Sequence, residues 1–212
     1  TDAFGNLRYY ENQTDNYQQD YYQLFYSRTL SKKLTANLGL HYTKGDGYYE
    51  EFKPGADFSS YGLGSILIGD STIDQTDIVR RKWLSTDYYG ATWSFDYEQK
   101  ALELKLGGGI YNYEGRHFNE IISAGIFPAS TFPFTYYEDN TTKNDVNIFL
   151  KATYALNDKL TFTGDLQERI VNYNFSKLVP DASNNIDLNF FNPKAGIAYK
   201  LNSKNQIYLF AG

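Results

Sequence analysis

The strongest constraint in this sequence is a two-residue alternation of apolar and polar side chains. Leu34, Ala36, Leu38, Leu40 and Tyr42 alternate with Thr35, Asn37, Gly39, His41 and Thr43. Tyr89, Ala91, Trp93, Phe95 and Tyr97 do the same against Tyr88, Gly90, Thr92, Ser94 and Asp96. The pattern returns at Leu102–Ile110, Val146–Tyr154 and Phe191–Tyr199. Successive side chains of a strand point to opposite faces, so each stretch predicts a strand with one greasy side. Weaker strands are expected over residues 17–30, over 160–173 and from Gln206, about eight in all. The strand from Leu160 loses phase near Glu168, which implies a bulge or its emergence from a membrane. No segment carries a helical period.

The connections fall into two kinds that alternate. Ser31-Lys32-Lys33, Glu98-Gln99-Lys100, Asn157-Asp158-Lys159 and Asn202-Ser203-Lys204-Asn205 are short, polar and suited to tight hairpins. Long connections are expected over 45–86, 114–143 and 174–190. Tight turns on one side and large loops on the other are what a membrane imposes on an up-and-down barrel, and a β-sandwich has no reason to sort its loops this way. Aromatic residues flank the turns at Tyr26, Tyr154 and Tyr199. Others gather at the far strand ends, at Tyr42, Tyr48, Tyr49, Tyr88, Tyr89, Tyr111, Tyr113, Tyr136 and Tyr137. Such rings favour the headgroup zone, so the two sets read as two girdles. The competing account is cross-strand aromatic pairing in a soluble sheet. The expected fold is all-β: an antiparallel up-and-down transmembrane β-barrel segment with short periplasmic turns and long extracellular loops. Under it, Arg at Leu38 or Leu104 should cost ~2–4 kcal/mol near the midplane, while Asn37 and Lys105 should tolerate change.

Composition narrows the classes. The chain has 21 Tyr and 15 Phe with no Cys or Met, yet its mean hydropathy is -0.54. Aromatic wealth with low hydropathy fits an aromatic binding surface or a barrel whose strands show alternate residues to lipid. The net charge of -5, without a basic stripe, argues against nucleic acid. Absent cysteine excludes disulfides and thiolate metal sites. No apolar run approaches the ~20 residues of a membrane helix. A polar opening at Thr1 and an ending within an apparent strand lead us to expect an excerpt of a longer protein.

Few residues suggest chemistry. His41 and His117 lack a partner at metal-ligand spacing, and no His-Ser-acid set is present, so neither an enzyme nor a resident metal or cofactor is expected. Asp70, Asp74 and Asp77 do not follow an EF-hand pattern. Gly107-Gly108-Gly109 lies within a strand, where glycines admit a close neighbour or relieve curvature. The long connections mix cations with aromatics. The candidate ligand-binding residues are Arg80, Arg81, Trp83, Arg116, His117, Tyr136 and Tyr137, which could hold an anionic, ring-bearing ligand. The alternative is that the loops pack on one another and meet lipopolysaccharide phosphates.

Several stretches then fall together. Asp15-Asn-Tyr-Gln-Gln-Asp-Tyr-Tyr-Gln-Leu24, Leu40-His-Tyr-Thr-Lys-Gly-Asp-Gly-Tyr-Tyr-Glu-Glu-Phe52, Gly107-Gly-Gly-Ile-Tyr-Asn-Tyr-Glu-Gly-Arg-His-Phe118 and Phe191-Asn-Pro-Lys-Ala-Gly-Ile-Ala-Tyr199 followed by Gln206-Ile-Tyr-Leu-Phe210 resemble the barrel region of TonB-dependent receptors, most closely those of Bacteroidetes-type bacteria. The resemblance covers nearly the whole chain. It implies that residues 1–212 are part of a single barrel domain of about 22 strands, with the plug domain and C-terminal strands outside this sequence. It also implies a bacterial outer-membrane receptor that imports a scarce ligand, first of all a ferric siderophore or other iron chelate, with energy from the TonB complex acting through the plug. Outer-membrane lipid and lipopolysaccharide would be its other partners. The rival readings are a non-energised porin or adhesin barrel and a soluble carbohydrate-binding β-sandwich.

Overall fold

The computed structural model describes residues 12–179 and 181–212, and the polar opening at Thr1 lies outside them. Eight strands form one antiparallel sheet: β1 (Thr14–Ser31), β2 (Leu34–Asp57), β5 (Gln75–Gln99), β6 (Leu102–Ala124), β7 (Phe134–Ala155), β8 (Leu160–Val179), β9 (Asp181–Lys200) and β10 (Gln206–Ala211). They neighbour one another in chain order, so the topology is up-and-down, and the arc is open at β1 and β10. A small separate hairpin, β3 (Ile66–Ile68) with β4 (Ser71–Ile73), occupies the β2–β5 connection. No alternation or turn signal in the sequence marks it. Among the described residues the only helical turns are short 3-10 segments, Phe58–Tyr61 and Ala129–Thr131.

Directly paired residues share a face, so the register extends the two faces across the sheet. Leu38 pairs with Trp93, Trp93 with Gly108, Gly108 with Ile148, Ile148 with Glu168 and Glu168 with Phe191. The outer face so defined exposes its apolar groups: Leu38 is 42% and Ile110 58% exposed. The inner, concave face encloses Thr43, Thr86, Ser94, Thr141 and Asp145. Buried polar groups beneath an exposed greasy surface invert the order of a water-soluble domain. No second layer covers the leucines, as a sandwich would require.

The apolar outer band starts at the tight turns. It runs from Leu34 to Tyr42, Tyr97 back to Tyr89, Leu102 to Ile110, Tyr154 back to Val146, Leu160 to Glu168 and Tyr199 back to Phe191. Each run is the same length, about 27 Å at ~3.4 Å per residue. The turns descend along the arc: Leu34 and Tyr97 lie level with Leu104, while β6 begins at Leu102, and Leu102 and Tyr154 lie level with Phe162, while β8 begins at Leu160. A fall of about two residues per hairpin against two strand spacings gives a tilt of about 35°. The band is then about 22 Å tall, close to the ~25 Å of a transmembrane barrel.

This geometry decides one expectation, leaving emergence from the apolar band in place of a bulge at Glu168, and corrects two. The strand register passes through Glu168 unbroken, with no bulge. Glu168 keeps its outer parity and marks the upper end of the β8 band, which accounts for the polar residue there. The long connections are largely strand: β2, β5 and β6 run to 24, 25 and 23 residues, well past the ~10 that cross a bilayer. Between the long strands there remain 58–74, which holds the β3–β4 hairpin, and 125–133. Finally, the second girdle divides by parity. Tyr42 and Tyr89 face outward, whereas Tyr49, Tyr88, Tyr111, Tyr113 and Tyr137 belong to the inner face.

Glycines 107–109 admit close neighbours, and these come from the sheet itself. A Cβ at Gly107 would stand 2.6 Å from the Phe149 ring, and one at Gly108 would meet the Asn147 carbonyl at 2.4 Å.

Candidate functional site

Above the band the outer face changes character. The Tyr42 hydroxyl donates to Asp87 (2.6 Å), which also holds Lys44 (2.9 Å), and the Tyr89 hydroxyl donates to Glu114 (3.0 Å). Each ring lies at the apolar edge with its polar tip aimed at a carboxylate beyond it, as an interfacial tyrosine requires. Asn112 donates to Asn144 (2.7 Å) on the same level.

Three of the seven candidate ligand residues stand on this outer face. Arg81 pairs with Glu50 (2.8 Å) and lies 4.4 Å over the Tyr48 ring. The Trp83 indole stacks on Phe118 (5.5 Å) and donates to Glu120 (3.0 Å). Arg116 pairs with Glu138 (2.7 Å) and covers Phe118 from 4.3 Å. Their charges and rings satisfy one another, and the wall separates them from the lumen.

Arg80 and Tyr136 belong to a core at the top of the inner face. Loop residues Phe58, Tyr61, Phe127 and Phe132 fold over Ile78, Ile121 and Ala124 there. Arg80 bonds Glu51 (2.8 Å) and the Tyr61 hydroxyl (3.1 Å). Burial opposes the Glu51 charge, but bonds from Lys53 and Arg80 outweigh it and hold the carboxyl below its ordinary value. Tyr136 meets Tyr61 edge-on at 4.8 Å, and burial pushes its phenol up to about 12. These two residues brace the loops.

His117 and Tyr137 face the lumen and are brought together by Asp139, which the sequence reading missed. His117 Nδ1 lies 2.8 Å from Asp139 Oδ1, and the Tyr137 hydroxyl donates to Oδ2 at 2.6 Å. That bond is the main reason the Tyr137 phenol is raised to about 12. Asp139 lies on the same alternation that placed His117, which was the available signal. Below it opens a concavity of about 980 Å³, lined by Tyr17, Tyr21, Tyr88, Tyr113 and Tyr173 with His41, His117 and Lys143. Asp77 of the acidic trio accepts the Gly55 amide (2.8 Å), and no group of three metal-ligating side chains occurs among the described residues.

The family described as TonB dependent receptor-like, beta-barrel matches residues 1–212. Among solved structures, the siderophore receptor PiuA from Acinetobacter baumannii aligns at a TM-score of 0.61 and 12% identity, over 92% of this chain and 32% of its own. The ferric-catecholate import receptor Fiu from E. coli K12 gives 0.61 and 10%, over 96% and 33%. The unliganded ferric citrate transporter FecA gives 0.61 and 11%, over 91% and 26%. This chain therefore spans between a quarter and a third of the length of these receptors, and at such identities the likeness establishes the fold. No curated protein matches.

Proposed function

Because this chain belongs to the TonB-dependent receptor-like β-barrel family, we propose that it forms part of the wall and outer mouth of a bacterial outer-membrane receptor that imports a scarce ligand with TonB-supplied energy. The first candidate ligand is a ferric siderophore or related iron chelate. The observation that carries the reading is the division of the sheet: an apolar band of constant length outside, and a polar, tyrosine-lined concavity inside at the far end from the tight turns. Lipid and lipopolysaccharide would surround the outer face, and TonB would act through a plug domain. Of the seven candidate residues we assign contact with cargo to His117 and Tyr137, which share the inner face, and a role in shaping the wall and its loops to Arg80, Arg81, Trp83, Arg116 and Tyr136.

The test is uptake of radiolabelled iron chelate by cells carrying the intact receptor, its deletion, or a TonB defect. Loss of uptake in both defective strains is expected, with surface binding retained when only TonB is missing. Uptake indifferent to TonB would indicate a porin. Uptake of iron indifferent to the deletion would remove iron chelates as cargo.

A further inference from the structure

The two edges of the apolar band differ in charge. The first outer row above it reads Asp20, Lys44, Asp87 and Glu114. Outer-face cations at and beyond this edge are matched: Lys44 holds Asp87, Arg81 holds Glu50 and Arg116 holds Glu138. The lower edge is basic and unmatched. Its four tight turns carry five lysines, Lys32, Lys33, Lys100, Lys159 and Lys204, against two acids, Glu98 and Asp158. All five are exposed, and none enters an ion pair among the described residues.

Turn chemistry sets these lysines at the rim. Asn157 Oδ1 accepts the Lys159 amide and Asn202 Oδ1 the Lys204 amide, both at 2.9 Å, and Ser31 Oγ accepts that of Lys33 at 3.2 Å. A side-chain oxygen two residues before a lysine thus recurs in three turns, where it ties down the backbone and leaves the ammonium group free. Arg28 adds a further cation. It pairs with Ala36, which gives it the outer parity of Leu24 and Tyr26, and no carboxylate meets it. A lipid-facing cation is costly unless its stem carries the charge to a polar layer, and the nearest such layer is that of the turns.

We propose that this basic rim binds the phosphates of net-anionic phospholipid in the membrane leaflet at the tight turns. An ammonium group beside an anionic lipid surface gains from its potential and donates to phosphate oxygens. The carboxylates of the opposite edge disfavour the same lipid there. The inference rests on the receptor reading above, which places the sheet in a membrane with these turns on the periplasmic side, and it adds a lipid selectivity which that reading does not contain.

The test uses the full-length receptor in vesicles of equal parts phosphatidylglycerol and phosphatidylcholine. A benzophenone side chain introduced at Leu160, the first outer residue after the Asn157–Lys159 turn, cross-links the lipids beside it, and mass spectrometry counts the adducts. Phosphatidylglycerol should exceed phosphatidylcholine roughly threefold or more. Lys159→Gln with Lys204→Gln should bring the ratio to about one, whereas Lys159→Arg with Lys204→Arg should keep it, because the charge remains. The same reporter at Ile110, beneath the acidic edge, should show no excess. A ratio near one at Leu160 in the parent would mean that the ammonium groups serve solvent or a periplasmic protein, and it overturns the proposal. So would an excess that survives the glutamine pair or is equal at Ile110. The adduct ratio depends on neither cargo nor TonB, so a failed uptake experiment and a failed lipid preference are separate results. A receptor that does not enter the vesicles would overturn both.

Discussion

His117 and Asp139 are register partners on β6 and β7, and their side chains meet across the strands at 2.8 Å. A carboxylate only accepts, so the contact places the imidazole proton on Nδ1 and fixes the ring. The second carboxylate oxygen is used by Tyr137. Asp139 is buried while both of its partners reach the lumen, so one acid sets the direction of two candidate ligand groups.

Asp139→Ala should release both, whereas Asn would keep an acceptor oxygen for one of them. The Tyr137 phenol stands at about 12 because the carboxylate favours its protonated form. Its contribution to stability is therefore complete below the ordinary tyrosine value of about 10, and is lost as pH rises through the folded value. Ultraviolet titration of the parent should show Tyr136 and Tyr137 ionising late, and in the variant one of the two should move down toward about 10. A parent in which this phenol already ionises normally would contradict the bond.

The two faces predict opposite responses at neighbouring positions. Leu106 lies midway along the outer band of β6, and Leu106→Arg should cost ~2–4 kcal/mol in lipid, whereas Leu104→Arg, nearer the turns, should cost less. Lys105 faces inward, 48% exposed beside Asp96 at 3.0 Å, and Lys105→Gln should cost at most ~1 kcal/mol. Urea unfolding from bilayers compares them, and equal costs would refute the faces. Asn37, expected from sequence to tolerate change, should behave differently. Its amide donates to Asp96 (2.7 Å) and Ser94 (3.1 Å) and accepts from Ser27 (2.7 Å). Asn37→Ala therefore leaves several polar groups short of a partner and should cost ~1–3 kcal/mol.

The wall was legible because period-2 alternation is enforced at every turn of the strand, and one slipped residue would put Leu38 into the lumen and Asn37 into lipid. Adjacent tyrosines were harder to read. Tyr88 and Tyr89 look alike as a cluster, yet parity alone sends one to the lumen and the other to the membrane edge. The same rule separates Arg80 from Arg81 and Arg116 from His117. The upper hairpins read as loops in the sequence because both of their faces are polar or mixed above the membrane, where alternation no longer has lipid to answer to. Pairing of Glu50 with Arg81 and Glu51 with Arg80 continues the ladder there. That contact lies far along the chain and leaves no local trace.

The loop core makes the outer rim firm. Ile121 is fully buried beneath Tyr61 and Ile78. Ile121→Ala should destabilise this core by ~2–5 kcal/mol, less if the loops settle into the space. Brief proteolysis of the receptor on intact cells should then cut 58–74 and 125–133 faster, while the barrel keeps its resistance to unfolding by detergent and heat. Unchanged cleavage would mean that the loops are held by something other than this core.

Two glycines in the wall should answer differently to the same added methyl group. A Cβ at Gly47 would stand 2.3 Å from the Asn16 carbonyl and 2.6 Å from Tyr17 Cα, both backbone of the paired strand β1. Backbone held in a ladder cannot step aside, so Gly47→Ala must separate β1 from β2 or bend the sheet, and a loss of ~1–3 kcal/mol is expected. At Gly164 on β8 nothing lies within 4 Å of the same atom. Gly164 has the outer parity of Leu166, so its methyl group would enter lipid while the unfolded chain loses freedom. Gly164→Ala should therefore raise stability by ~0.4–1 kcal/mol. Paired urea titrations in bilayers decide the matter, and a tolerant Gly47 would mean that the β1–β2 ladder is looser than its continuous register implies.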